Sequence, residues 1–394
     1  LSVANARPGY KKTKEGVIPA DWEVVPLGRI AKFSSGALIN VASLHEQSSD
    51  YPVPVFGGNG ISGYTRDALM SGPTIIVGRV GQKCGMVHFS EGPAWITDNA
   101  LYPVHFQREA HPQFLALALQ HVRLNDVRNR NDLPLVTQSI LDAVRIAWPP
   151  EISEQRAIAA ALGDVDSLIR SLDQLIAKKR DLKQAAMQQL LTGKQRLPGF
   201  DGEWREGQLG DVIEKLVGGG TPSRSNPAYW GNEIQWATVK DIATFNPHWT
   251  QEAITRQGLK NSSSNLIPAG TLITSTRMAL GKAIIYEVDV AINQDLKALF
   301  PKQNVSVKYL YYWLEHNTRM IGELGNGSTV KGISISDLKG IPFLLAPIPE
   351  QSAIATVLSD MDAEITALEQ RRDKTRALKQ GMMQELLTGR IRLI

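Results

Sequence analysis

Residues 154–197 read EQRAIAAALGDVDSLIRSLDQLIAKKRDLKQAAMQQLLTGKQRL, and residues 350–393 read EQSAIATVLSDMDAEITALEQRRDKTRALKQGMMQELLTGRIRL. At a constant offset of 196 residues, Glu154, Gln155, Ile158, Ala159, Leu162, Asp164, Asp166, Leu182, Lys183, Gln184, Met187, Leu190, Leu191, Thr192 and Gly193 recur as identical residues. That density over 44 ungapped positions marks an internal duplication. Ile158, Leu162, Val165, Ile169, Leu172 and Ile176 alternate spacings of four and three, as do Ile354, Leu358, Met361, Ile365 and Leu368. This is the seam of a long amphipathic helix that packs on another helix. Prolines precede each run, and Thr192-Gly193 and Thr388-Gly389 read as C-terminal stops. A helix of about 40 residues spans roughly 60 Å.

Outward from the helices the duplication continues. Trp22 with Leu27-Gly28 returns as Trp204 with Leu209-Gly210, now at an offset of 182, so the intervening segments differ in length. The expected division is a first globular domain at 1–150, a central helical region at 151–197, a second domain at 198–347 and a C-terminal helical region at 348–394. Short apolar strands such as Thr74 to Val77, Thr271 to Thr274 and Ala283 to Glu287 are separated by Gly, Pro and Asn. Helical stretches are expected at Pro112 to Val122 and Val307 to Asn317. The predicted fold class is α/β (α+β): two globular domains separated by two long antiparallel coiled-coil helices, with an internal pseudo-twofold repeat. Patterning alone leaves open that each helix packs on its own domain, or pairs with a helix of another chain.

Composition narrows the function classes. The 394 residues carry a formal charge of +4, which permits a polyanionic partner without requiring one. Cys84 is the single cysteine, so no intrachain disulfide can form, and a cysteine-based zinc site is not expected. The seven histidines lack ligand spacing, and no run of 18 apolar residues occurs. A cytoplasmic protein with no metal and no cofactor is the expectation.

Motifs that resemble catalytic ones fail on context. Gly58-Asn-Gly-Ile-Ser-Gly63 has the glycine spacing of a dinucleotide fingerprint, but Tyr64-Thr-Arg-Asp follows where a helix should start. Asn226-Pro-Ala-Tyr229 departs from the Asn-Pro-Pro-Tyr loop of amino-methyltransferases at its third position, and Gly218-Gly-Gly220 lacks the Gly-Lys-Ser/Thr of a phosphate loop. Asp98 and Asp295 read as loop or cap groups, and Cys84 beside Lys83 as a small packed side chain. No catalytic residue is assigned.

The segment Gly219 to Ile242, GGTPSRSNPAYWGNEIQWATVKDI, resembles the start of a target-recognition domain in the specificity subunits of type I restriction-modification systems. Leu27-Gly28 and Leu209-Gly210 resemble the short opening element of such domains, and Pro54 to Tyr64 resembles the matching region of another recognition-domain type. Arg79-Val-Gly81, Arg277 to Lys282, Gly327 to Leu338, its weaker counterpart at Pro134 to Leu141, the Pro-x-Pro-Glu-Gln351 element and the Leu-Leu-Thr-Gly endings follow in the same order. The resemblance covers almost the whole chain.

The resemblance implies a non-catalytic subunit whose two domains each read half of a split double-stranded DNA target. The helices would space the halves and dock two methyltransferase (modification) subunits, which two restriction subunits can join. Reading a base needs hydrogen-bonding side chains at its edge, and holding phosphates needs Lys, Arg or backbone N–H groups. In the first domain the candidates are Arg66, Arg79, Lys83, Arg128 and Arg130. In the second they are Arg224, Lys240, Arg277, Lys282 and Lys331, with Asn226, Gln235 and Thr238 as neutral readers. For each, a solvated charge or a loop hydrogen bond is the competing reading. The basic runs Lys178-Lys179-Arg180 and Arg371-Arg372 are expected to face solvent, a partner or the DNA spacer. The rival function is a structural adaptor or inhibitor that binds no DNA and holds protein partners on paired helices.

Overall fold

The computed structural model describes residues 8–124, 134–325 and 331–393. The chain divides into two compact units, Leu1–Asp173 with Gln370–Ile394, and Gln174–Glu369. Each unit combines one globular domain with parts of both long helices, Ile152–Leu190 and Ile348–Leu386, each of 39 residues.

In the first unit an antiparallel sheet runs in the order Ala31–Ser35, Ala100–Phe106, Thr74–Gly78, Val87–Ser90. Thr74–Gly78 is buried along its whole length, as expected of an apolar strand covered on both faces. A second sheet pairs Val53–Gly57 antiparallel with Gly60–Thr65 and parallel with Trp95–Ile96. The ribbon Glu23–Pro26 with Arg145–Trp148 leads into the first long helix. The helix Pro112–Val122 starts on a proline, whose missing N–H costs nothing there, and buries Phe114 and Leu115 in the core.

The second unit repeats this plan. Its antiparallel sheet has the order Ile213–Gly218, Leu296–Pro301, Leu272–Ser275, Ala283–Ile285. Its second sheet places Trp230–Ala237 antiparallel to Glu252–Ile254 and parallel to Val290–Ile292, with Asn265–Ile267 on the far edge. The matching ribbon is Arg205–Gln208 with Pro342–Leu345. The matching helix, Val307–Leu324, runs past the expected Asn317. Its first turn is capped by the Ser306 hydroxyl, which accepts from Tyr309 N at 3.4 Å.

The ends of the long helices are built into these cores. In the first unit Ile158, Ala159 and Leu162 share a cluster with Leu386 and Leu387 and with Trp22, Phe114 and Trp148. In the second, Ile354, Ala355 and Leu358 share one with Met187, Leu190 and Leu191. Among the other seam positions Leu172, Ile176 and Ile365 are buried, while Val165, Ile169, Met361 and Leu368 are half-buried.

Residues identical between the repeats make equivalent contacts. Glu154 and Glu350 have fully buried side chains. Glu154 accepts from Trp22 Nε1 at 3.1 Å and is bridged by Arg392, whose Nη2 is 2.9 Å from Oε2. Glu350 accepts from Trp204 Nε1 at 2.8 Å and from Arg196 Nε and Nη2 at 2.5 and 2.6 Å. Gln155 accepts from the N–H of His111 at 2.9 Å, and Gln351 from that of Ser306 at 2.8 Å. Each glutamine thereby ties a long helix to the N-cap of the short helix in its domain.

Helix-to-helix pairs run antiparallel within each unit. In the first, Asp166 meets Lys379 at 2.7 Å while Asp173 meets Arg376 at 2.9 Å and Arg372 at 3.5 Å. In the second, Lys179 meets Glu364 at 2.7 Å, Lys183 meets Asp362 at 2.5 Å, and Arg180 meets Glu369. Lys179, Arg180 and Arg372 therefore pair across the helices, while Lys178 and Arg180 stay exposed to solvent as the charge run leads one to expect. Of the apparent catalytic motifs, Gly58–Gly63 spans a hairpin turn and strand, and Asn226 caps a short turn at Pro227–Tyr229. Among the described residues no group of His, Cys, Asp and Glu could hold a metal, and no helix is long and apolar enough to cross a membrane.

Candidate nucleic-acid interface

Each domain carries a crevice at the same topological position, beyond the C-terminal ends of its parallel strand pair. In the first domain Val55 and Phe56 pair with Trp95 and Ile96, and the turn Thr97-Asp98-Asn99 follows. In the second, Gln235, Trp236 and Ala237 pair with Val290, Ala291 and Ile292, and Asn293-Gln294-Asp295 follows. Arg79 N donates to Asn99 O at 2.9 Å, and Thr276 N to Asp295 O at 2.9 Å. Bridges at Val80–Leu135 and Arg277–Gly332 close the same side. A Cβ at Gly36 would run into Ile96 O, and one at Gly219 into Ile292 O, so both positions require glycine for the backbones to approach. These matched features fix the correspondence.

The second crevice, of about 420 Å³, is lined by Arg224, Trp236, Thr238, Lys240, Met278 and Asp295, among others. Its polar groups are mostly engaged inside the protein. Arg224 forks onto Glu252, with Nη2 2.8 Å from Oε2, and its guanidinium stacks 3.7 Å from the Trp230 ring centre. This pairing holds the Glu252 carboxyl below its usual pKa and raises that of Arg224. The Thr238 hydroxyl caps the turn that follows, accepting from Lys240 N at 3.2 Å and donating to Asp241. Asp295 accepts from Asn293 Nδ2 at 3.0 Å and lies 3.5 Å from Arg277. Lys240 projects to solvent, and no hydrogen bond or ion pair of its amine occurs among the described residues.

The remaining second-domain candidates divide. Gln235 Oε1 accepts from Thr250 N at 2.7 Å, and Asn226 Oδ1 from Ala228 N at 3.1 Å, so both acceptor ends hold the loop rather than pointing free. Arg277, Met278 and Lys282 occupy one loop, anchored where Met278 N donates to Lys331 O at 2.9 Å, and all four side chains are exposed. Met278 is in the left-handed region at φ 66°, a conformation that costs a side-chain-bearing residue energy.

The first crevice, of about 360 Å³, is lined by Asn59, Ser62, Thr97, Asp98 and Asn99 with an apolar wall that includes Val41 and Leu44. Among the described residues, none of the basic candidates lines it. Arg79 is next to the lining Val80, with Nη1 donating to Ser35 at 3.0 Å, and Lys83 is exposed on the same loop. Arg66 lies over the Tyr51 ring at 5.0 Å and donates to Asp50 O at 3.3 Å. Arg128 and Arg130 lie outside the described residues. Asn59, Ser62 and Asn99 were not among the sequence candidates, which in this domain were all cations. The one available signal was Ile96 and Ile292, which recur at the offset of the helices and place the two turns in register.

The profile of the type I restriction modification DNA specificity domain matches this chain twice, at residues 19–178 and 201–376. The chain belongs to the type I restriction-modification specificity family. Each match spans one recognition domain and most of the long helix after it. This specificity-family chain is 32% identical to the MjaIX specificity subunit of Methanocaldococcus jannaschii over 165 residues, 41% of the chain and 38% of that relative. It is 24% identical to the putative MjaX specificity subunit of the same organism over 98% of the chain and 97% of the relative. The EcoR124I/EcoR124II specificity subunit of Escherichia coli is 30% identical over 41% of each. The crystal structure of a type I S subunit from M. genitalium superposes with a TM-score of 0.66 at 15% identity, covering 96% of this chain and 98% of that one. The twin-domain fold on long helices is thus the fold of this family.

Proposed function

We propose that this chain is the sequence-reading and scaffold subunit of a type I restriction-modification enzyme, with the chemistry carried by its partners. Each domain reads one half of a split double-stranded DNA target. The paired long helices fix the spacing between the halves and dock two modification subunits, to which two restriction subunits can add. The observation that carries this reading is the duplicated crevice: one backbone framework occurs twice, lined by different side chains. A binder of one repeated ligand would keep the linings alike, whereas a reader of two different half-sites would not.

Physical considerations support it. Two half-sites joined by a stiff connection add their binding energies while the association cost falls once. Lys240, Arg277, Lys282 and Lys331 beside the second crevice, and Arg79 and Lys83 beside the first, can hold phosphates while groups within the crevices meet base edges. The relatives' names, each a specificity subunit, agree.

The test is methylation mapping. The chain is expressed with its modification subunits in a host lacking adenine methylation, and methylated adenines are located genome-wide. Methylation confined to one two-part motif with a fixed gap is expected. Methylation at a continuous motif, or equal methylation with and without the chain, would overturn the reading.

A further inference from the structure

The two crevices differ in how much hydrogen-bonding capacity the protein itself consumes. In the second, Arg224, Thr238, Asn293 and Asp295 are all paired internally. In the first, five polar side chains converge on about 360 Å³, and no side-chain hydrogen bond or ion pair of Asn59, Ser62, Thr97, Asp98 or Asn99 occurs among the described residues. Thr97 Oγ1 is buried without a partner among them. Buried polar atoms in folded proteins are nearly always paired, so the unpaired Thr97 Oγ1 sets this crevice apart, and the exposed Asn59, Ser62 and Asn99 with the half-buried Asp98 keep their hydrogen-bonding groups open to a ligand.

The groups also specify what the ligand offers. An ionised Asp98 is acceptor-only, whereas Asn59 and Asn99 each present a donor and an acceptor. In the major groove a carboxylate can accept from the N4 amine of cytosine or the N6 amine of adenine, and it repels the acceptors O6 and N7 of guanine and O4 of thymine. An asparagine amide pairs with adenine N6 and N7 together. Among the described residues no Lys or Arg lines this crevice, so the usual partner of guanine is absent from its described lining.

We propose that the first-domain crevice is a base-edge-reading site selective for the bases that present an amine in the major groove, cytosine and adenine, with Asp98 as the acceptor and Asn59 as the bidentate reader. Arg79 and Lys83, on the neighbouring loop, then serve the phosphates. The assignment rests on the proposed function and deepens it, because it names the base class in one half of the target.

The experiment uses the full chain with its modification subunits. Wild type, Asp98→Asn and Asn59→Ala are assayed for binding to the wild-type target and to every single-base substitution in each half. Asn59 is exposed and Asp98 half-buried, and neither makes an internal side-chain bond among the described residues, so both variants should melt within a degree or two of wild type. Asp98→Asn is expected to lose roughly tenfold or more in discrimination at one cytosine or adenine position. Asn59→Ala is expected to relax discrimination at the same or an adjacent position, and neither variant should alter the other half. A split wild-type motif with unchanged discrimination in both variants overturns the crevice assignment while leaving the proposed function standing. Relaxation in the half read by the second domain overturns it too. A wild-type complex with no motif at all overturns both.

Discussion

Arg392 and Glu154 lie at opposite ends of the two repeats, 238 positions apart, yet the guanidinium of one bridges the fully buried carboxylate of the other. Arg196 and Glu350 do the same in the second unit, each pair roofed by a tryptophan, Trp22 or Trp204. The end of each repeat therefore closes onto the start of the other, which explains why both ends kept their identities after duplication.

Removing Arg392 leaves Glu154 buried without its counter-charge, a situation that typically costs about 3–5 kcal/mol. Arg392→Ala should therefore lower the denaturation midpoint of the first unit substantially. Arg392→Ala combined with Glu154→Gln should recover part of the loss, because the buried group left behind is neutral. Equal stability of Arg392→Ala and wild type in urea titration would show that the pair contributes nothing.

Lys183 and Asp362 form the contact that Asp166 and Lys379 form in the other unit, so the pairing should be a property of the helix register. Lys183→Glu should weaken the pair by about 0.5–1 kcal/mol, and the exchange Lys183→Glu with Asp362→Lys should restore most of it. Asp362 also accepts from Tyr312 at 2.8 Å, so recovery will be incomplete. A double-mutant cycle with no coupling energy would contradict the register.

Much of this frame was legible in the chain because the residues that recur are the ones that make the contacts: Glu154 with Arg392 and Glu350 with Arg196, Gln155 with His111 N and Gln351 with Ser306 N, Asp166 with Lys379 and Asp362 with Lys183. Helix periodicity is local, and a 39-residue helix repeats its signal many times. The crevices were not legible. The first exists only because Val55 and Phe56 pair parallel with Trp95 and Ile96, about 40 residues onward, and two-residue strands carry almost no pattern. Arg224 read as a free cation because Glu252, its partner, is 28 positions away. Thr238 and Gln235 read as open hydrogen-bonders because Asp241 and Thr250 become neighbours only in the folded loop.

Acid should destabilise the protein below neutrality. His88, His111, His121 and His316 are held below the ordinary histidine pKa of 6.5, chiefly by burial, and His88 Nε2 and His111 Nδ1 are buried without partners among the described residues. The unfolded chain binds protons at these histidines before the folded one does. Their stabilising contribution is complete above pH 6.5 and falls as the pH drops through that value. A melting temperature several degrees lower at about pH 5.5 than at about pH 7.5 is expected; an unchanged or higher value would contradict it.

Lys240 holds an exposed amine, unpaired among the described residues, at the rim of the second crevice, where it suits a phosphate. Lys240→Ala should weaken DNA binding similarly for all target sequences and reduce the slope of log K against log salt by about one. Loss of discrimination at one base position with an unchanged salt slope would reassign Lys240 as a base reader.

The central claim is that one chain reads two half-sites at a set distance. Selection from a random duplex library by the full chain with its modification subunits, at two salt concentrations, tests this most directly. Two short motifs at one fixed separation, both weakened by salt, are expected. Two motifs at freely varying separations would contradict the role of the helices, and enrichment of a single continuous motif would contradict the division of reading between the two domains.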